Sequence, residues 1–171
     1  GPSAVLKAGL LAVSSPWCAL IDAQRCAKVS ELDLLLQMRT DMGLVCGERR
    51  PGKGRGHWRR SLVPALCSAV RRLVTHDGIR DSHCPLQVGQ TAVLRALPWF
   101  SGMHCFVPAL VRLSGYGVTT VSVSCRTCER HAPLYRCLGI ALGSFFDLLA
   151  YIWIRRHYLD PAVARSNVRP V

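Results

Sequence analysis

Four side chains able to ligate a metal fall within thirteen residues of this sequence: Cys125, Cys128, His131 and Cys137. The Cys-x2-Cys pair follows a β-branched stretch, and such a pair commonly begins a tetrahedral zinc site. With His131 and Cys137 completing the set, all four positions would come from protein. The site would then be structural, with no open position for a catalytic water. The spacing Cys-x2-Cys-x2-His-x5-Cys has no second Cys-x2-Cys behind it, so His83 with Cys84, or His104 with Cys105, are alternative distant ligands. A second chemistry is a dithiol at Cys125 and Cys128, its thiolate stabilised by Arg126 and Arg130. A third reading is ordinary packing beside an apolar helix.

The other chemical signal is cationic. The stretch GERRPGKGRGHWRR carries Arg49, Arg50, Lys53, Arg55, Arg59 and Arg60 among glycines and a proline. Its composition predicts an irregular loop. The Lys53 segment lacks the Ser or Thr that a phosphate-binding P-loop places after its lysine, so a Walker-type nucleotide site is excluded. Arg71 and Arg72 extend the charge beyond the loop. The expected role is phosphate capture, from RNA or from anionic lipid, with Trp58 available to stack on a base or sit at a lipid interface.

These residues need elements to hold them. Ala4 to Ile21 reads as a helix interrupted near Pro16. After Ser30, the spacing of Leu35, Met38, Met42 and Val45 predicts one amphipathic helix ending near Gly47. Leu62, Leu66, Val70 and Leu73 predict another. The segment from Thr75 to Gln90 reads as a loop. Ala96 to Val111 is apolar but broken by Pro98, Gly102 and Pro108, which fits a broken helix pair or a proline-kinked core helix. Val118 to Ser124 alternates and is β-branched, which predicts a strand.

The final apolar run, Cys137 to Ile154, would be about 27 Å long as a helix. That matches the apolar thickness of a bilayer. Gly139 and Gly143 form a Gly-x-x-x-Gly pair that permits close helix packing. Asp147 disputes a span, at about 2.5–3.5 kcal/mol on insertion scales. Ser144, Asp147, Tyr151 and Arg155 would form one narrow polar stripe, and in a membrane that stripe would face protein.

Composition sets the class. The chain has 171 residues, 50% of them hydrophobic, and a formal net charge of +12. Its mean hydropathy is +0.21, high for a protein that coats nucleic acid. Residues 49–80 hold nine basic and one acidic side chain. Nine cysteines cannot all pair within the chain, which favours an intracellular, reducing compartment. Gly1 in place of methionine fits either processing or a removed tag.

The expected fold is therefore mainly α: a small helical protein with one short β element and a C-terminal apolar helix long enough to be transmembrane. The segments are 1–47 (helical), 48–60 (basic loop), 61–124 (helix and strand core), 125–137 (Cys/His cluster), 138–157 (apolar helix) and 158–171 (tail). No carboxylate pair, His-Glu-x-x-His, Gly-x-Ser-x-Gly or dinucleotide glycine pattern occurs. The expectation is a non-catalytic structural subunit of a membrane-associated, organellar (mitochondrial) complex. Its partners would be other subunits and anionic lipid or RNA, with zinc as the one candidate cofactor and no small-molecule substrate. The second reading is an RNA-binding protein of a ribonucleoprotein such as an organellar ribosome. The third is a thiol oxidoreductase using Cys125 and Cys128.

Overall fold

A computed structural model describes residues 1–22, 29–39, 42–49, 62–79, 81, 84, 86–123 and 134–157. The order of elements is α1 (Pro2–Ala12), β1 (Trp17–Ile21), α2 (Leu32–Gln37), β2 (Leu44–Arg49), α3 (Leu62–Thr75), β3 (Leu86–Gln90), α4 (Thr91–Ala96), α5 (Val107–Leu113), β4 (Val118–Val123) and α6 (Leu134–His157). A short 3-10 turn, Met103–Cys105, precedes α5.

The four strands form one mixed sheet in the order β1-β3-β2-β4. β3 runs antiparallel to both neighbours, with Ile21 opposite Leu86 and Leu44 opposite Gly89. β2 and β4 are parallel, from Leu44 against Val118 to Arg49 against Val123. β1, β2 and β4 therefore point the same way. This corrects the mainly helical expectation with one β element. Three strands were hidden in segments read as helix or loop. Val45 belongs to β2, so it does not continue the face of Leu35, and α2 stops at Gln37.

Side chains alternate across the sheet. Leu44 and Cys46 point to one side, where they meet Leu94, Met103, Phe106, Leu110 and Tyr151. Val45, Leu86, Val88 and Val123 point to the other, covered by Leu35 of α2. The first side is packed by α1, α4, α5 and α6, with Val74 of α3 beside them.

Specific ends fix the helices. The carbonyls in the last turn of α1 lack partners within the helix. The Arg95 guanidinium supplies them, donating to Leu10 O at 3.0 Å, Leu11 O at 3.1 Å and also Val13 O. α5 ends where Gly115 adopts φ +83°, a conformation that costs glycine little. Gly115 N donates to Arg112 O and Tyr116 N to Val111 O, the paired bonds of a Schellman cap. That cap turns the chain into β4.

α6 runs 24 residues. Among the described residues no helix is long and apolar enough to cross a membrane, which corrects the transmembrane expectation for the Cys137–Ile154 run. Ser144, Asp147 and Tyr151 dilute it, and Arg155 and Arg156 close it.

Candidate functional site

In open α/β sheets, ligands bind outside the carboxyl ends of the parallel strands. Here those ends are Ile21, Arg49 and Val123. The chain passes from Arg49 directly into the basic segment and from Val123 directly into the Cys/His segment. The two stretches that carry chemistry in the sequence thus depart from neighbouring strands at one edge of the sheet. Asp22 follows Ile21, and Glu48 sits half-buried opposite Ser122.

Behind this edge, on the thickly packed side of the sheet, lies a buried polar hub. Arg71 on α3 and Asp77 just after it are 5% and 1% exposed and form an ion pair through Nη2 and Oδ2. Arg71 Nε also donates to Cys105 O at 3.1 Å. Asp77 Oδ1 accepts from Ile79 N at 3.1 Å, an Asx turn. The Arg71 guanidinium lies 5.7 Å over the Phe106 ring, and Phe106 stacks on Tyr151 at 5.4 Å. One charged pair therefore ties α3, the turn before β3, the start of α5 and α6 together. Burial pushes the Tyr151 hydroxyl above its ordinary range, offset in part by Arg155. Burial also drives the Cys46 thiol far above its ordinary range, so that cysteine is a packing residue and not a nucleophile.

A second polar contact holds the middle of α6. The Asp147 carboxyl group lies where a side chain on Gly102 would start, about 2.1 Å from that position. Gly102 has φ +83°. Desolvation raises the Asp147 pKa, and His104 pulls it partly back. His104 Nδ1 in turn lies 3.4 Å from Ser3 Oγ on α1.

The residues nominated from the sequence are placed as follows. Cys125, Cys128 and His131 lie outside the described residues, as do Arg50, Lys53, Arg55, Arg59 and Arg60. Cys137 lies on α6 and Arg49 ends β2. Arg71 is engaged inside the hub, whereas Arg72 is exposed. Gly139 and Gly143 are exposed, with nothing within 4 Å of where a side chain would begin. Asp147 faces the protein. The hub itself escaped the sequence reading, although Asp77-Gly78 after a helical run is a turn signal and Arg71 lies six residues earlier.

No protein-family model matches this sequence, and no curated protein matches it. Solved structures do. Glucosyl-3-phosphoglycerate synthase from Mycobacterium tuberculosis, in complex with phosphoglyceric acid, aligns over 86% of this chain with a TM-score of 0.63 and 16% identity. Mannosyl-3-phosphoglycerate synthase from Rubrobacter xylanophilus aligns over 92% with a TM-score of 0.63 and 15% identity. The fold resembles that of glycosyltransferases. The chain spans about half of each matched structure, 54% and 52% respectively.

The likeness corrects several expectations. The solved relatives by fold are enzymes, which overturns the reading as a non-catalytic subunit. The RNA-binding alternative finds no support in that likeness, and the thiol-oxidoreductase alternative rests on Cys125 and Cys128, which lie outside the described residues. One mycobacterial structure holds Mn2+, UDP-glucose and phosphoglyceric acid, with a TM-score of 0.62 to this chain at 16% identity, covering 86% of it and 53% of the other. The mycobacterial complexes hold small molecules, so the expectation of no small-molecule substrate is overturned too. Nothing supports zinc or a mitochondrial setting. Among the described residues no three His, Cys, Asp or Glu side chains are placed to hold a metal. They do not form a Mn2+ site either, so no chemistry is assigned to a metal here.

Proposed function

We infer that this chain forms part of a glycosyltransferase that uses a nucleotide-linked sugar. The observation that carries this reading is the parallel β2–β4 pair within a sheet whose whole arrangement aligns with two such synthases. The donor would lie across the carboxyl ends of those strands. Its diphosphate is an anion, and the segment leaving β2 is rich in arginine, whose guanidinium forks pair with phosphate oxygens. In this reading Arg50, Lys53, Arg55, Arg59 and Arg60 supply the positive field that captures the donor. The hub of Arg71 and Asp77 holds α3 and the turn before β3 beneath that edge. It positions the site and touches no substrate.

Titration calorimetry with UDP-glucose tests the reading, with and without Mn2+. Saturable binding is expected, together with UDP release when phosphoglycerate is added. Replacing Arg50, Arg55, Arg59 and Arg60 with glutamine should weaken donor binding at least about tenfold at low salt, with the unfolding midpoint unchanged. Absence of binding to UDP-glucose, with Mn2+ and without it, would overturn it.

A further inference from the structure

α6 carries its polarity the wrong way round for a helix on the outside of a water-soluble domain. Its polar stripe faces the protein. Asp147 lies against Gly102, Tyr151 is buried on Phe106, and Arg155 Nη1 donates to Val74 O of α3 at 3.1 Å. Its outer face is apolar. Leu142, Phe145, Phe146, Leu149 and Trp153 are between 46% and 66% exposed. α3 packs beside α6 and adds Leu66 and Leu73, 66% and 70% exposed. Large apolar side chains gathered on two neighbouring helices mark an interaction surface.

Charge decides what covers it. The exposed Arg72 and Arg156 stand on these two helices beside the apolar side chains. α3 contains no acidic residue, and the acid of α6, Asp147, is turned inward. A second copy of the same face would offer these cations no counter-charge and would leave them against apolar or like-charged surface. An anionic bilayer offers both requirements at once: acyl chains for the aromatic and leucine side chains, and phosphates for the arginines. Trp153 lies at the basic end of the helix, and tryptophan is enriched at membrane–water interfaces. We propose that the outer face of α3 and α6 seats the protein on the surface of an anionic membrane, without crossing it.

The test is co-sedimentation of the full chain with phosphatidylcholine vesicles, with and without phosphatidylserine. The chain is expected to pellet with the anionic vesicles and far less with the neutral ones. Leu142→Ser combined with Phe146→Ser should reduce binding at least about tenfold. Arg72→Gln combined with Arg156→Gln should cost about fivefold per charge removed. Both pairs are exposed, so unfolding midpoints should not move. Three results would overturn the proposal: pelleting with neither vesicle, equal pelleting with both, or unchanged binding by the serine variant. A dimer in light scattering that the serine variant converts to monomer would also overturn it, and would name a second copy as the occupant. Donor binding at the sheet edge is read separately by calorimetry, so the two readings fail independently.

Discussion

The two sides of the sheet are built unequally. One side is covered by α1, α3, α4, α5 and α6 and contains the buried Arg71–Asp77 pair, the Phe106–Tyr151 stack and the inward-facing Asp147. Among the described residues the other is covered chiefly by the six-residue α2, which places one fully buried side chain, Leu35, over Val45, Leu86, Val88 and Val123. The thick side can hold charged groups because enough surrounding structure exists to give Arg71 and Asp77 their partners. The thin side is almost wholly apolar, because a buried polar group there would have few partners. Polar chemistry near the candidate edge is therefore organised from one side.

The sharpest way to break this asymmetry is to remove half of the hub. Asp77→Ala leaves Arg71 buried and unpaired, which should cost about 3–5 kcal/mol in denaturant unfolding. The double variant Arg71→Met with Asp77→Leu should be far less damaging, since no uncompensated charge remains. A smaller loss for Asp77→Ala than for the double variant would show that the pair does not organise the thick side.

Truncation compares the two sides directly. Leu110→Ala on the thick side should cost about 4 kcal/mol, and Leu35→Ala on the thin side about 2 kcal/mol, because a short helix can settle into the space left. Equal losses would erase the comparison. Gly102→Ala should cost about 2 kcal/mol from backbone strain and the contact with Asp147. Adding Asp147→Ala should recover the contact part and leave the strain, as read in the same unfolding assay.

The smallest effect concerns pH. The Asp147 pKa is raised in the folded state, first by desolvation. A raised carboxyl favours the protonated folded form, so its contribution is present at low pH. It is lost as pH rises from the ordinary aspartate range through the raised value. Asp147→Asn should lack that decline, so the stability difference from the parent should change across that window. A flat difference would mean that Asp147 is solvated like any surface carboxylate.

Some of this was legible from residue order alone. The alternation of Val118 to Val123 marks β4, the leucine spacing of 62–73 marks α3, and Pro98, Gly102 and Pro108 mark the break between α4 and α5. β2 and β3 were not legible, because LVCGER and LQVGQ are short and lack alternation. Periodicity cannot separate such buried strands from helix or loop. β1 was absorbed into an apolar stretch in which Pro16 signals a break but not a change of period. The candidate edge was legible in its parts, as a basic segment and a cysteine segment. Their meeting at one edge depends on β2 pairing with β4, a contact that no local pattern encodes. The inversion of α6 was half legible: the stripe of Ser144, Asp147, Tyr151 and Arg155 stands out, while its inward direction is set by Gly102, Phe106 and Val74.

The parallel pairing of β2 with β4 also governs the order in which the protein can be made. β2 sits between β3 and β4, so once β3 has formed, one edge of β2 still waits for a partner. That partner is completed only at Val123. At about 5–20 residues per second, a ribosome needs a few seconds to travel from Gln90 to there. During that interval an inner strand of the finished sheet is an open edge, with backbone donors and acceptors that any neighbouring chain could meet. Nascent chains stalled between β3 and β4 should be the form most dependent on chaperones.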